Sequence, residues 1–125
     1  AIQVFMPGKP QVWYLDLLAG RNDHEAVAKA GPGGHKEINR TNLTADEASE
    51  RLAWPVVQRQ LELLRFRNSF GAFGWDATCE LAETAPEQLV LTWRRGGLEA
   101  RLDADLASGS FTITTTEADG TTRTV

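Results

Sequence analysis

Residues 6–20, MPGKPQVWYLDLLAG, constrain the fold most strongly. Pro7-Gly8 and Pro10 break any preceding helix and impose an extended approach. Val12, Trp13, Tyr14, Leu15, Leu17 and Leu18 then follow with almost no polar relief, the pattern of a strand covered on both faces. Such a strand needs neighbours on both sides. The next strand-like segments begin only near Trp75, and they alternate as strands with one wet face do. The expectation is that Ala1 is not a natural beginning and that the sheet or barrel to which this strand belongs lies upstream, which makes the chain a C-terminal piece.

Size and composition bound the remainder. A chain of 125 residues suffices for one ordinary domain, whereas a complete eightfold α/β barrel takes about 250. A hydrophobic share of 42% and a charged share of 24% are those of a folded, water-soluble chain. With 13 basic and 17 acidic residues the net charge is -4, and no basic run exceeds Arg94-Arg95, which argues against a nucleic-acid partner. No apolar run approaches the ~20 residues of a membrane helix, and no signal-peptide pattern opens the chain, so the expected setting is cytoplasmic, without a membrane partner. Cys79 stands alone, excluding an internal disulfide, and its place in a strand pattern reads as a structural thiol.

Along the chain, residues 20–43 form a connection far longer than the ~2–6 residues usual between strand and helix, the mark of a functional loop or of disorder. Within it a short helix is predicted over residues 23–29, capped by Asn22 or Asp23 and stopped at Gly31, with a hinge at Gly31-Pro32-Gly33-Gly34. Thr44-Ala45-Asp46-Glu47 is a capping box that starts a helix. Pro55 breaks or restarts it, and Val57, Leu61 and Leu64 continue an apolar stripe that ends between Asn68 and Gly71. From Trp75 the period becomes two. Trp75, Ala77, Cys79 and Leu81 share a face, followed by Leu89, Leu91 and Trp93, then Leu98, Ala100, Leu102 and Ala104, then Phe111, Ile113 and Thr115. Turns at Ala85-Pro86-Glu87, Gly96-Gly97, Ser108-Gly109 and Asp119-Gly120 make this an antiparallel meander of four or five strands. Trp75 and Trp93 read as core, with a sugar-stacking platform as the alternative.

Several motifs resemble a known family. The Met-Pro-Gly-x-Pro-x-x-x-Tyr pattern at residues 6–14 is similar to the last barrel strand of the α-amylase clan, glycoside hydrolase family thirteen. Leu17-Leu18-Ala19-Gly20-Arg21-Asn22-Asp23, Lys36-Glu37-Ile38-Asn39-Arg40, Pro55-Val56-Val57 and Leu64-Arg65-Phe66-Arg67-Asn68 resemble its sucrose phosphorylase branch, over roughly residues 1–75. The resemblance implies an α+β fragment. Residues 1–73 would be the end of a (β/α)8 barrel (last strand, long loop and last helix), and residues 74–125 an antiparallel β domain. Residues 1–5 would end the helix before that strand.

What the resemblance implies for function follows the same division. The catalytic carboxylates of the family sit on earlier strands, so no catalytic residue is expected here, and the piece alone would be inert. Lys36, Glu37, Asn39 and Arg40 would contact substrate. Many relatives have arginine where this chain has Lys36, and lysine lacks the planar fork that grips two oxygens. That departure tilts the expected donor from sucrose toward glucosylglycerate. The complete enzyme would pass glucose from an α-glucoside to phosphate, giving α-glucose 1-phosphate. Its partners would be a small sugar, phosphate and the upstream barrel of the same chain, with no cofactor. His24 and His35 lack partners at metal-ligand spacing, so no metal site is expected. Two alternatives stay open: a hydrolase or transglucosidase of the same clan, and a free-standing sugar-binding β domain.

Overall fold

The alternating half of the chain builds one sheet. A computed structural model describes all residues, Ala1–Val125. In it β1 (Thr78–Ala82), β2 (Gln88–Arg95), β3 (Leu98–Asp105), β4 (Phe111–Thr116) and β5 (Thr122–Thr124) pair antiparallel in sequence order. This is the expected meander. Its tight turns fall at the glycines, with Gly96, Gly97, Gly109 and Gly120 all at positive φ, a backbone region that side chains with a Cβ seldom enter. The register sets Leu91 opposite Leu102 and Leu102 opposite Ile113, so three of the sheet's apolar residues line up across its centre. All three are buried.

The opposite face carries charge. Arg94 pairs with both Glu80 and Glu99, and Arg101 with Asp103 at 2.7 Å. The Arg94 pairs reach across to the neighbouring strands β1 and β3, where opposite charges support pairing by about 0.2–1 kcal/mol each, whereas Arg101 and Asp103 are two residues apart on β3. Thr92, in register with Glu80 and Arg101, is nevertheless buried on this face.

Contacts divide the chain into two compact units, Ala1–Pro10 with Leu63–Val125, and Gln11–Glu62. In the first, the apolar face of the sheet forms a core with Val4, Phe5, Leu63 and Ala72. Val4 and Phe5 belong to the short helix α1 (Ile2–Phe5), the helical turn expected at residues 1–5. Phe5, Phe66, Phe70, Phe73 and Trp93 interlock, mostly edge to face, with centroids 5.3–6.4 Å apart. That geometry suits the ring quadrupoles. The buried indole N–H of Trp93 donates to the Phe5 carbonyl at 2.7 Å.

Arg67 is the buried charge beside this core. Its guanidinium lies 4.3 Å from the centroids of both Phe73 and Trp93 and donates to the Gly8 carbonyl at 3.0 Å. Burial lowers its pKa, with Cys79 acting in the opposite direction. Cys79 is half-buried, and burial raises its thiol pKa, in keeping with a structural rather than a reactive role.

The second unit is helical: α2 (Tyr14–Leu17), α3 (His24–Ala30), a 3₁₀ segment (Gly34–Asn39) and α4 (Ala45–Leu52), followed by the start of α5 (Pro55–Ser69). The local signals work as read. Asp23 caps α3 by accepting from the Ala26 amide at 2.8 Å, and Gly31 ends it. Thr44 and Glu47 form the full capping box of α4, and Pro55 opens α5.

Two expectations are corrected. Residues 12–18 are not a strand, because no segment of this chain pairs with them and a strand without a ladder leaves its backbone groups unbonded. The segment satisfies them locally instead, with Leu17 and Leu18 amides donating to Trp13 and Tyr14 carbonyls and Gly20 donating to Leu15 at 2.7 Å. Only Leu15 is buried, while Trp13 and Tyr14 are exposed. Trp75 is not core either. It precedes β1 by three residues, in a turn, so the strand period does not govern it, and it is 96% exposed.

Candidate functional site

The residues singled out for substrate binding fall together on one short segment. Lys36, Glu37 and Asn39 lie in the 3₁₀ segment and Arg40 follows as its C-cap. Three residues per turn bring side chains three apart onto one side. Glu37 and Arg40 accordingly pair at 3.2 Å. Both are at least partly exposed, so the pair contributes little stability and serves mainly to orient Arg40.

The segment opens where the glycine hinge was expected. Gly31 and Gly33 hold φ of 69° and 88°, and buried Gly34 packs so closely that an added Cβ would lie 2.4 Å from that of Ala30. Glycine is therefore required there for close approach, and the hinge is a fixed turn against α3 as much as a flexible one.

A shallow cavity of about 350 Å³ is lined by Trp13, His35, Lys36, Ile38, Asn39 and Arg40. It joins one aromatic ring to two fixed cations, an imidazole and an amide. Such a set can hold a polyhydroxylated or anionic small molecule: rings cover apolar sugar faces, and cations take oxyanions or hydroxyls. Three of the four expected residues, Lys36, Asn39 and Arg40, line it; Glu37 instead holds Arg40.

Trp13 and His35 were missed in the sequence. In a strand, Trp13 and Tyr14 would point to opposite faces. In the helical turn both reach the same backbone: the Trp13 indole donates to the Asn39 carbonyl at 2.8 Å and the Tyr14 hydroxyl to the Thr41 carbonyl at 2.8 Å. Two adjacent aromatic donors beside a glycine-rich loop were the available signal.

No known protein-family model matches the sequence. Individual relatives do. The chain is 55% identical over 122 residues to a sucrose 6(F)-phosphate phosphorylase of Ilumatobacter coccineus, covering 98% of this chain and 23% of that protein. It is 40% identical over 124 residues to a glucosylglycerol phosphorylase of Marinobacter adhaerens, covering 98% and 25%. The crystal structure of a sucrose 6F-phosphate phosphorylase from Thermoanaerobacter thermosaccharolyticum superimposes with a TM-score of 0.86 at 39% identity, covering 99% of this chain and 24% of that one. No helix is long and apolar enough to cross a membrane. Spanning about a quarter of the length of the proteins it matches, the chain is similar to the C-terminal portion of a sucrose 6F-phosphate phosphorylase.

Proposed function

We propose that these residues are the C-terminal, non-catalytic part of a glucosyl-transferring phosphorylase, which converts an α-glucoside and phosphate to α-glucose 1-phosphate. The observation that carries this is the 55% identity maintained over 122 residues. Double displacement requires a carboxylate nucleophile and an acid/base set about 5–5.5 Å apart. In this reading both belong to the rest of the enzyme. Residues 1–73 complete its (β/α)8 barrel, and residues 74–125 form the β domain. A cytoplasmic setting, with phosphate at hand, suits the reaction.

Lys36, Glu37, Asn39 and Arg40 form the substrate-binding contribution of this segment. Two of the relatives are named for a phosphorylated sucrose, and His35, Lys36 and Arg40 line one cavity. Both facts favour a donor carrying an ester phosphate over glucosylglycerate, which none of the relatives' names mentions. A lysine point charge meets a phosphate well without a bidentate fork.

The test is Lys36→Ala in a phosphorylase-length protein carrying this segment. Loss of more than about tenfold in kcat/KM for sucrose 6F-phosphate but not for sucrose places Lys36 on the ester phosphate. An equal loss for both places it on the glucosyl unit. No loss for either returns it to the solvated surface.

A further inference from the structure

The loop that bears the cations has little of its own to hold it. Gly31, Pro32, Gly33 and Gly34 precede it, and the 3₁₀ segment ends on Arg40, which is neither helical nor extended at φ -116° and ψ 23°. Four long-range hydrogen bonds tie this stretch down. The Asp23 amide donates to the Ile38 carbonyl at 2.7 Å. The Thr41 hydroxyl donates to the Arg21 carbonyl at 3.3 Å. Trp13 and Tyr14 supply the other two, to the Asn39 and Thr41 carbonyls. The two aromatic donors thus grip the carbonyls on either side of Arg40.

We propose that Trp13 and Tyr14 act as a paired clamp that fixes the backbone around Arg40, and through it the direction in which Arg40 faces the cavity beside Lys36. This rests on the reading of that loop as substrate-binding. The clamp works by pre-organisation: a loop already held in its bound shape loses less freedom when substrate arrives. Neither residue needs to touch the reacting atoms, so both are positioning residues. Adjacent placement on one helical turn matters. Trp13 is the extended N-cap and Tyr14 the first residue of α2, so one short rigid element carries both donors. A strand would send them to opposite faces.

Trp13→Phe and Tyr14→Phe each remove one donor and keep an aromatic ring, and two independent variants guard against one failing to fold. In a phosphorylase-length protein each raises KM for the glucosyl donor by about 2- to 10-fold, the effect of one net hydrogen bond, with kcat within about twofold. Exchange of the Asp23 amide, which reports on the loop independently of turnover, accelerates by a similar factor. Unchanged exchange in both variants overturns the clamp. Faster exchange with unchanged KM overturns its positioning role, and Lys36→Ala then tells whether the loop itself meets substrate: a silent Lys36→Ala points to failure of the substrate-loop reading, an active one to failure of the clamp alone.

Discussion

Replacing Trp93 by phenylalanine tests how the sheet is held to α1. The indole N–H is buried and donates to the Phe5 carbonyl at 2.7 Å, and Phe5 itself is fully buried. Removing the donor leaves that carbonyl without a partner, which costs about 1–3 kcal/mol. The smaller ring adds a cavity cost of about 1 kcal/mol, and it shrinks one of the two ring faces that flank Arg67. The sum is about 2–4 kcal/mol. For a chain of this size that corresponds to a fall in Tm of roughly 10 °C. Urea titration followed by circular dichroism measures it, with Trp75→Phe as the control. Trp75 is 96% exposed, and its replacement should stay within about 0.5 kcal/mol. Equal midpoints for the two variants would refute both the hydrogen bond and the assignment of the two tryptophans.

Gly20→Ala should destabilise the helical unit by about 1–3 kcal/mol, because the new Cβ would sit 2.1 Å from Leu15 Cδ1 and 3.1 Å from the Leu15 carbonyl. Adding Leu15→Ala should cost less than the sum of the two changes, read from denaturation midpoints. The Glu47 carboxylate accepts from the Thr44 amide and hydroxyl at 2.8 and 3.0 Å, and the amide bond is the main cause of its lowered pKa. Its cap is therefore at full strength above the unfolded value of about 4.3 and is lost as pH falls through the lower folded value. Amide exchange in α4 should rise across that acid range, and Glu47→Gln should flatten the dependence.

Elements whose signal is local were legible in the sequence. The capping box, the Asp23 cap, Pro55 and the glycine turns each act within a few residues, so chemistry at one position decides structure nearby. The meander was legible because alternation at Leu89, Leu91 and Trp93 recurs at Ala100, Leu102 and Ile113, and short turns leave antiparallel pairing as the simple solution. Residues 12–18 were not. A short apolar run carries no period that separates strand from helix, and which one forms depends on whether a pairing edge exists. Trp75 was misplaced because alternation was extended past the first ladder residue, Thr78, into a turn. At the site, the family motif at residues 36–40 singled out Lys36, Glu37, Asn39 and Arg40, and three of the four line one cavity. Trp13 was harder to read because its place at the cavity arises from the loop folding back onto α2, whereas His35, next to Lys36, was weighed only as a metal ligand.

The most direct test of the central proposal is anomer-resolved phosphorus and proton NMR of the products formed from sucrose 6F-phosphate and phosphate. It compares a phosphorylase-length protein carrying this segment with the 125-residue chain alone. The account predicts phosphate-dependent release of α-glucose 1-phosphate, the retained anomer of two displacements, by the longer protein and no turnover by the shorter chain. Turnover by the 125 residues alone, or free glucose or the β anomer as the main product of the longer protein with phosphate in excess, would contradict it.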